Sequence, residues 1–217
     1  MRRVPNPLNP LIWRARLHVP NALASVGVLG YRRYGPVAAS DWDRKYESGA
    51  MESDATLPQL ARYGVVVSYL EHVRARRILD VGCGTGLLRR RLGRLPFERY
   101  VGADPSSAAI DRARSLEDEQ TTFVVAERAE PGLGPFDAIV CNEMLYYVDD
   151  PNEFLEYATS ILERGGHVVS SIWRHPRDVV LHKALDRHFD RVDAVEVAQK
   201  SAAVRPVWRV ALHRRRD

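Results

Sequence analysis

The stretch ILDVGCGTGLL, residues 78–88, sets Ile78, Leu79 and Val81 around Asp80 and then puts glycine at every second position, Gly82, Gly84 and Gly86. The run RRILDVG (76–82) reads as a short buried strand that ends in glycine, and a helical pattern begins at Leu87. Glycine accepts positive φ and carries no Cβ, so this main chain can approach a ligand without a side chain in the way.

Downstream the chain alternates. Leu87 to Leu95 reads as helix, with Arg89–Arg91 as its solvated face. RYVGAD (99–104) is a second strand, and Pro105 and Ser106 start a helix that carries Ala109, Ile110, Ala113 and Leu116 on one side. TTFVVA (121–126) and FDAIVC (136–141) are a third and fourth strand. After Pro151, Phe154, Leu155, Ala158, Ile161 and Leu162 form one stripe, with Gly165 and Gly166 expected to end the helix. HVVSSIW (167–173) is a fifth strand. A helix around 176–188 precedes FDRVDAVEV and RPVWRVALH, which have strand character and no helix between them. They are expected to pair antiparallel at one edge. Continuous apolar strands alternating with helices mean a parallel sheet covered on both faces.

Upstream, Ser40 or Asp41 is expected to cap a short helix through WDRKY, and a second helix fits Leu57, Leu60, Val67 and Leu70 on one face. Residues 1–39 contain Pro5, Pro7, Pro10 and Pro20 and read as an irregular basic arm, with residues 40–75 a helical cover and 40–217 the folded domain.

The formal net charge is +4, from 32 basic and 28 acidic residues in 217. Residues 1–40 hold six arginines and no acid, and HRRRD closes the chain, so the positive charge lies at the ends. Such ends are either solvated or a contact for anionic lipid, nucleic acid or a partner. Cys83 and Cys141 stand far apart, without metal-ligand spacing, and read as free thiols of a reducing compartment. No apolar run reaches the roughly 18 residues of a membrane span. A cytoplasmic protein is expected, and neither the cysteines nor the seven histidines point to a metal.

In an open parallel sheet, ligands bind beyond the carboxyl ends of the strands. A dinucleotide site would use G-x-G-x-x-G, but Leu87 stands where the third glycine belongs. Asp104, at the end of the second strand, is placed either to accept hydrogen bonds from both hydroxyls of a ribose or to cap the next helix.

ILDVGCGTG, the acid in VGADPS, and FDAIVCNEMLYYVDDP followed by LERGGHVV resemble the successive motifs of class I S-adenosylmethionine-dependent methyltransferases, over about Trp42 to Ile172. The resemblance implies a Rossmann-like, doubly wound α/β fold, with a mostly parallel seven-stranded sheet and an antiparallel last strand. It implies S-adenosylmethionine as cofactor and S-adenosylhomocysteine as product. Gly82, Cys83, Gly84 and Gly86, with Asp80 before them, would lie against the methionine and ribose. Asp104, beside Pro105, would hold the ribose hydroxyls, Glu127, or the main chain beside it, would sit near the adenine amine, and Asn142 would lie between cofactor and acceptor. WDRKYESG and ARY (61–63) resemble the covering region of small-molecule methyltransferases, where Tyr46 and Arg62 would reach the cofactor carboxylate or else be lid packing or surface residues.

A methyl group on a sulfonium is already activated, so the protein must hold a nucleophile about 3 Å away and in line. A hydroxyl acceptor also needs a base, whereas an amine needs only to arrive deprotonated. On the acceptor side, Glu143 is a candidate to take a proton or anchor a cation, or else caps a turn. Tyr146 and Tyr147 are candidates to wall the pocket and bond the acceptor, one of them being core. His175 is a candidate general base or a plain loop residue. Cys83 reads as a small loop-filling residue. NEMLYYV is similar to segments of methyltransferases acting on sugars and small metabolites, including the nodulation N-methyltransferase group.

The expected function is methyl transfer to an oxygen or nitrogen of a small molecule. RNA or protein methylation guided by the basic termini, a catalytically silent cofactor-binding subunit and an NAD-dependent reductase are the alternatives.

Overall fold

Seven strands form one sheet in the order β3-β2-β1-β4-β5-β7-β6. They are β1 (Arg77–Val81), β2 (Arg99–Asp104), β3 (Thr121–Val125), β4 (Phe136–Asn142), β5 (Leu162–Trp173), β6 (Phe189–Ala198) and β7 (Val207–Arg215). The computed structural model describes residues 37–52, 56–93, 95–128, 133–174, 178–199 and 206–217. Strands β1 to β5 are parallel, and β7 is inserted antiparallel between β5 and β6. The expected doubly wound sheet with its antiparallel last strand is what the chain forms. All of the expected arm except its last three residues lies outside the described residues.

The helices are α1 (Ala39–Glu47), α2 (Leu57–His72), α3 (Leu87–Arg91), α4 (Ser107–Ala113), α5 (Pro151–Ile161) and α6 (Asp178–His188). Two apolar layers explain why the central strands are predominantly apolar. Leu79, Val81, Ile139 and Val168 pack with Leu155 of α5 and Leu181 and Leu185 of α6. On the other face Ile78, Tyr100, Val140 and Val169 pack with Val66 and Leu70 of α2, Leu88 of α3 and Ile110 of α4. Neighbouring residues of one strand thus enter opposite layers, as the pleat requires.

Ser106 caps α4 as its spacing suggests: its hydroxyl accepts from the Ala109 N–H at 3.1 Å. Asp150 does the same for α5, accepting from the Asn152 N–H at 2.8 Å, with Pro151 in the first turn.

Five local expectations are corrected. Helix α1 starts at Ala39 with Ala38 at its cap position, so neither Ser40 nor Asp41 caps it. The buried face of α2 runs through Arg62, Tyr63, Val66, Tyr69 and Leu70, while Leu57 is 78% exposed and Leu60 42%. Helix α3 ends at Arg91 rather than Leu95. Its arginines are not a uniformly solvated face: the Arg89 Nε donates to Thr121 at 2.8 Å, and the Arg91 guanidinium lies 4.5 Å from the Tyr63 ring centroid. Finally, α5 ends at Ile161, ahead of the glycine pair, because Leu162 is already extended (φ −88°, ψ 138°) and pairs with Phe136 of β4.

The sheet order reverses between β1 and β4, whose carboxyl ends therefore flank a crevice where an open α/β sheet binds ligands. Among the described residues, no helix is long and apolar enough to cross a membrane.

Candidate active site

The glycines after β1 are bare largely because the protein fills the space around them. All three have positive φ: 69° at Gly82, 54° at Gly84 and 76° at Gly86. A Cβ on Gly82 would meet the Met144 side chain at 2.8 Å, and one on Gly86 would meet Leu116 at 2.8 Å and Phe123 at 3.1 Å. One on Gly84 would meet the Tyr46 hydroxyl at 2.7 Å. The loop's N–H groups are committed as well. Those of Gly82 and Cys83 donate to the Ala103 carbonyl at 2.8 and 3.1 Å, and that of Gly84 donates to Asp104 Oδ2 at 2.9 Å.

Asp104 ends β2, buried, and its Oδ1 accepts from the Ser106 N–H at 2.9 Å. Burial pushes its carboxyl up, against the two N–H donors that favour the charge. Each oxygen accepts one backbone donor and keeps a lone pair for another.

Above the loop, α1 is fastened to the start of α4 by Asp43, whose Oδ1 accepts from the Ser106 hydroxyl at 2.7 Å and the Ala108 N–H at 3.0 Å. The Arg112 guanidinium donates to the Tyr46 carbonyl at 2.9 Å. These bonds hold Tyr46 against the loop.

Arg62 is 2% exposed and donates from Nε to Gln59 at 3.1 Å and from Nη1 to the Asn142 side-chain oxygen. Its guanidinium lies 4.6 Å from the Tyr63 ring centroid and 5.9 Å from that of Trp208.

Glu143 follows β4 with φ +62°, a left-handed conformation that is uncommon outside glycine. Its Oε2 accepts from the Tyr146 hydroxyl at 2.8 Å and the Trp208 Nε1 at 3.1 Å; its Oε1 accepts from the Ser171 hydroxyl at 3.1 Å. Burial raises its carboxyl above the usual value, against Arg62 and the three donors.

These groups line one cavity of about 570 Å³ that runs from Gly82, Gly84 and Asp104 to Glu143, Tyr147 and Trp208. The cavity brings together twelve of the expected residues: Tyr46, Arg62, Gly82, Cys83, Gly84, Asp104, Pro105, Glu127, Asn142, Glu143, Tyr146 and Tyr147. Gly86 and Asp80 do not line it. Asp80 is 2% exposed beneath the loop, its Oδ2 accepting from the Tyr100 hydroxyl at 2.5 Å, and burial pushes it up to about 7. Its Oδ1 is buried with no partner among the described residues. His175 lies outside the described residues. Cys83 is buried, and desolvation holds its thiol well above the ordinary value, the opposite of a reactive thiolate.

Tyr146 belongs to the core layer, while Tyr147 is half-buried, with its ring edge-on to Tyr146 (centroids 4.6 Å apart) and to Trp42 (4.8 Å). Trp42, Asp43, Ser171 and Trp208 escaped sequence reasoning. Trp42 and Asp43 sit in the quoted WDRKYESG, and the period-two pattern of VWRVALH marks Trp208 as facing one side of the sheet, without saying what lies there.

A family model described as a methyltransferase domain matches residues 54–208. The chain belongs to the methyltransferase family. Among curated methyltransferases, it is 33% identical over 152 residues to a ubiquinone biosynthesis O-methyltransferase of Alkalilimnicola ehrlichii, covering 67% of this chain and 60% of the relative. It is 34% identical over 135 residues to the enzyme of that name from Xanthomonas axonopodis pv. citri, covering 57% and 56%. The match thus spans about six-tenths of the length of these curated relatives. The fold is that of solved methyltransferases. NodS, an N-methyltransferase of Bradyrhizobium japonicum WM9 solved with S-adenosylhomocysteine, superimposes with a TM-score of 0.65 at 19% identity, over 76% of this chain and 91% of that one. A 1,6-didemethyltoxoflavin-N1-methyltransferase of Burkholderia thailandensis, also holding S-adenosylhomocysteine, gives 0.65 at 18% identity over 99% and 94%.

Proposed function

We propose that this protein transfers a methyl group from S-adenosylmethionine to an oxygen or nitrogen of a small-molecule acceptor, by direct in-line displacement. The observation that carries this reading is the single cavity joining the carboxylate of Asp104, at the end of β2, to the aromatic wall of Tyr147 and Trp208. One end suits an adenosyl cofactor and the other a small organic acceptor. Relatives named for ubiquinone biosynthesis O-methylation and a fold shared with N-methyltransferases support the same class.

The residues present fit the cofactor. Asp104 offers carboxylate lone pairs to ribose hydroxyls. Gly82, Cys83 and Gly84 form a side-chain-poor floor beside it, and Arg62 retains guanidinium donors for the cofactor's carboxylate. The commitment of the Gly82, Cys83 and Gly84 N–H groups to β2 disfavours a pyrophosphate, which needs those donors. Glu127 lines the cavity beyond β3, on the side assigned to adenine. When bound, the cofactor supplies an activated methyl group on sulfur. The chain's part is to position it and the acceptor and to exclude water, which α1 and α2 do by covering the crevice. His175 keeps its assignment as a candidate base. We assign the activity to the cytoplasm, a reading supported by the two cysteines being free, buried thiols.

Calorimetric titration with S-adenosylmethionine, S-adenosylhomocysteine and NADH tests the proposal. Micromolar binding of the first two and none of NADH is expected; binding of NADH alone overturns it.

A further inference from the structure

Three of the four groups that meet at Glu143 come from distant parts of the chain: Arg62 from α2, Ser171 from β5 and Trp208 from β7, with Tyr146 from the turn after β4. The Glu143 N–H also donates to the Ser171 carbonyl at 2.9 Å, so main chain and side chain are both clamped to β5. With Trp208 and Ser171 holding the carboxylate still, its one bond, among the described residues, to a cavity-lining residue whose group can both give and take a proton is the bond to the Tyr146 hydroxyl. A residue outside glycine kept at φ +62° is a local strain that the surrounding bonds must hold in place.

We propose that Tyr146 and Glu143 form a two-member proton relay that serves a hydroxyl acceptor, with Trp208 and Ser171 as positioning residues. The inference rests on the methyltransferase reading above. Tyr146 takes the acceptor's proton on its oxygen while its own proton passes to Glu143 Oε2. In balance, the acceptor oxygen gains the methyl carbon, and the sulfur keeps the electron pair of the bond that breaks. Glu143 ends neutral and returns its proton to solvent after product leaves. Oxygen methylation needs such an outlet, because an alcohol or phenol that has bonded to a methyl group must lose its proton; an already deprotonated amine needs none.

The electrostatics around the pair suit the task. Arg62 and the three donors favour the Glu143 carboxylate, while burial opposes it and raises its affinity for a proton above that of an ordinary glutamate. Burial above all, and then Glu143 and Tyr147, disfavour a tyrosinate at Tyr146 against the opposing pull of Arg62, so the hydroxyl passes a proton on rather than standing ionised. Asn142 completes the surroundings through its contact with Arg62.

The experiment uses 4-nitrocatechol, an acidic dihydroxybenzene whose anion absorbs in the visible, with cofactor-free protein at a pH just below its ionisation in solution. Binding to the wild type is expected to develop the anion band without net proton release, because the proton moves to Glu143. Tyr146→Phe and Glu143→Gln are expected to bind the probe more weakly and, at probe concentrations at which calorimetry shows each variant saturated, to leave the bound probe no more ionised than free probe at the same pH. A neutral spectrum in all three proteins, or an anion band that survives Tyr146→Phe, overturns the relay. Failure of the wild type to bind the probe overturns the hydroxyl-acceptor assignment. Binding of S-adenosylhomocysteine is measured in parallel: its absence overturns the methyltransferase reading itself, and its loss in the variants alone would mean that the pair shapes the cofactor site instead of moving a proton.

Discussion

The Gly84 N–H donates to Asp104 Oδ2 at 2.9 Å, so the loop after β1 and the acid at the end of β2 form one rigid unit. The loop cannot move without the carboxylate, which couples the two features of the sequence that point to an adenosyl cofactor.

The first consequence concerns that carboxylate. Asp104→Ala is expected to weaken S-adenosylmethionine binding by more than about 1.5 kcal/mol, the scale of a charge-assisted hydrogen bond. Calorimetry reads this directly, and unchanged affinity would remove Asp104 from the ribose assignment.

The glycines separate packing from binding. Gly86→Ala forces a Cβ to 2.8 Å from Leu116 at φ +76°, away from the cavity. It is expected to cost about 2 kcal/mol and to lower Tm by roughly 4–8 °C, measured by thermal unfolding. Gly84→Ala instead drives its Cβ against the Tyr46 hydroxyl and is expected to reduce cofactor affinity about tenfold or more. Adding Tyr46→Phe removes the clashing oxygen and should recover part of that loss. No recovery would show that the strain at φ +54° dominates.

Two buried histidines make stability depend on pH. Desolvation pushes His182 of α6 and His213 of β7 down to about 4, with Arg209, Arg191 and Asp186 nearby as secondary influences. The unfolded chain takes up protons at these sites below about 6.5, while the folded chain does not until about 4. Stability is therefore complete above that window and falls as pH drops through it, by about 3 kcal/mol per histidine at the outer limit. Asp80, raised by burial to about 7, acts in the opposite sense: its contribution is lost as pH rises from 3.8 towards 7. Comparing variants isolates the histidine effect. The His182 Nε2 is buried without a partner among the described residues, so His182→Leu should shrink the drop in Tm between pH 7.5 and pH 5. An unchanged drop would contradict the assignment.

Cys83 and Cys141 should resist alkylation in the folded protein. Burial raises both thiols, so thiolate is scarce and access poor. Labelling with N-ethylmaleimide, followed by mass spectrometry, is expected to modify neither until denaturant is added. Rapid modification of Cys83 would show that the loop opens.

The alternation of strand and helix, the order of the motifs and the identity of twelve of the cavity residues were legible because they are local. A buried parallel strand needs continuous apolar residues, a positive-φ loop needs glycine, and a helix start needs a residue such as Ser106 or Asp150. Errors fell where distant segments compete with local signals. Leu162 has a helical neighbourhood, but pairing with Phe136 draws it into the sheet. Leu57 and Leu60 fit a helical stripe, yet the sheet takes the face bearing Tyr63, Val66 and Leu70 and leaves them to solvent.

By itself the sequence determined the fold class and the glycine loop with Asp104 that is proposed to hold the adenosyl group, since both rest on motifs a few residues long whose backbone requirements are written in their residue types. Only the tertiary structure decided what surrounds Glu143. Arg62, Tyr146, Ser171 and Trp208 span 147 positions of the chain, and no local pattern announces that β7 inserts between β5 and β6 to bring the Trp208 indole to that carboxylate. The physical reason is that short-range conformational preference is carried by each residue, whereas a hydrogen-bonded cluster depends on strand order, which is settled by burial of the whole sheet.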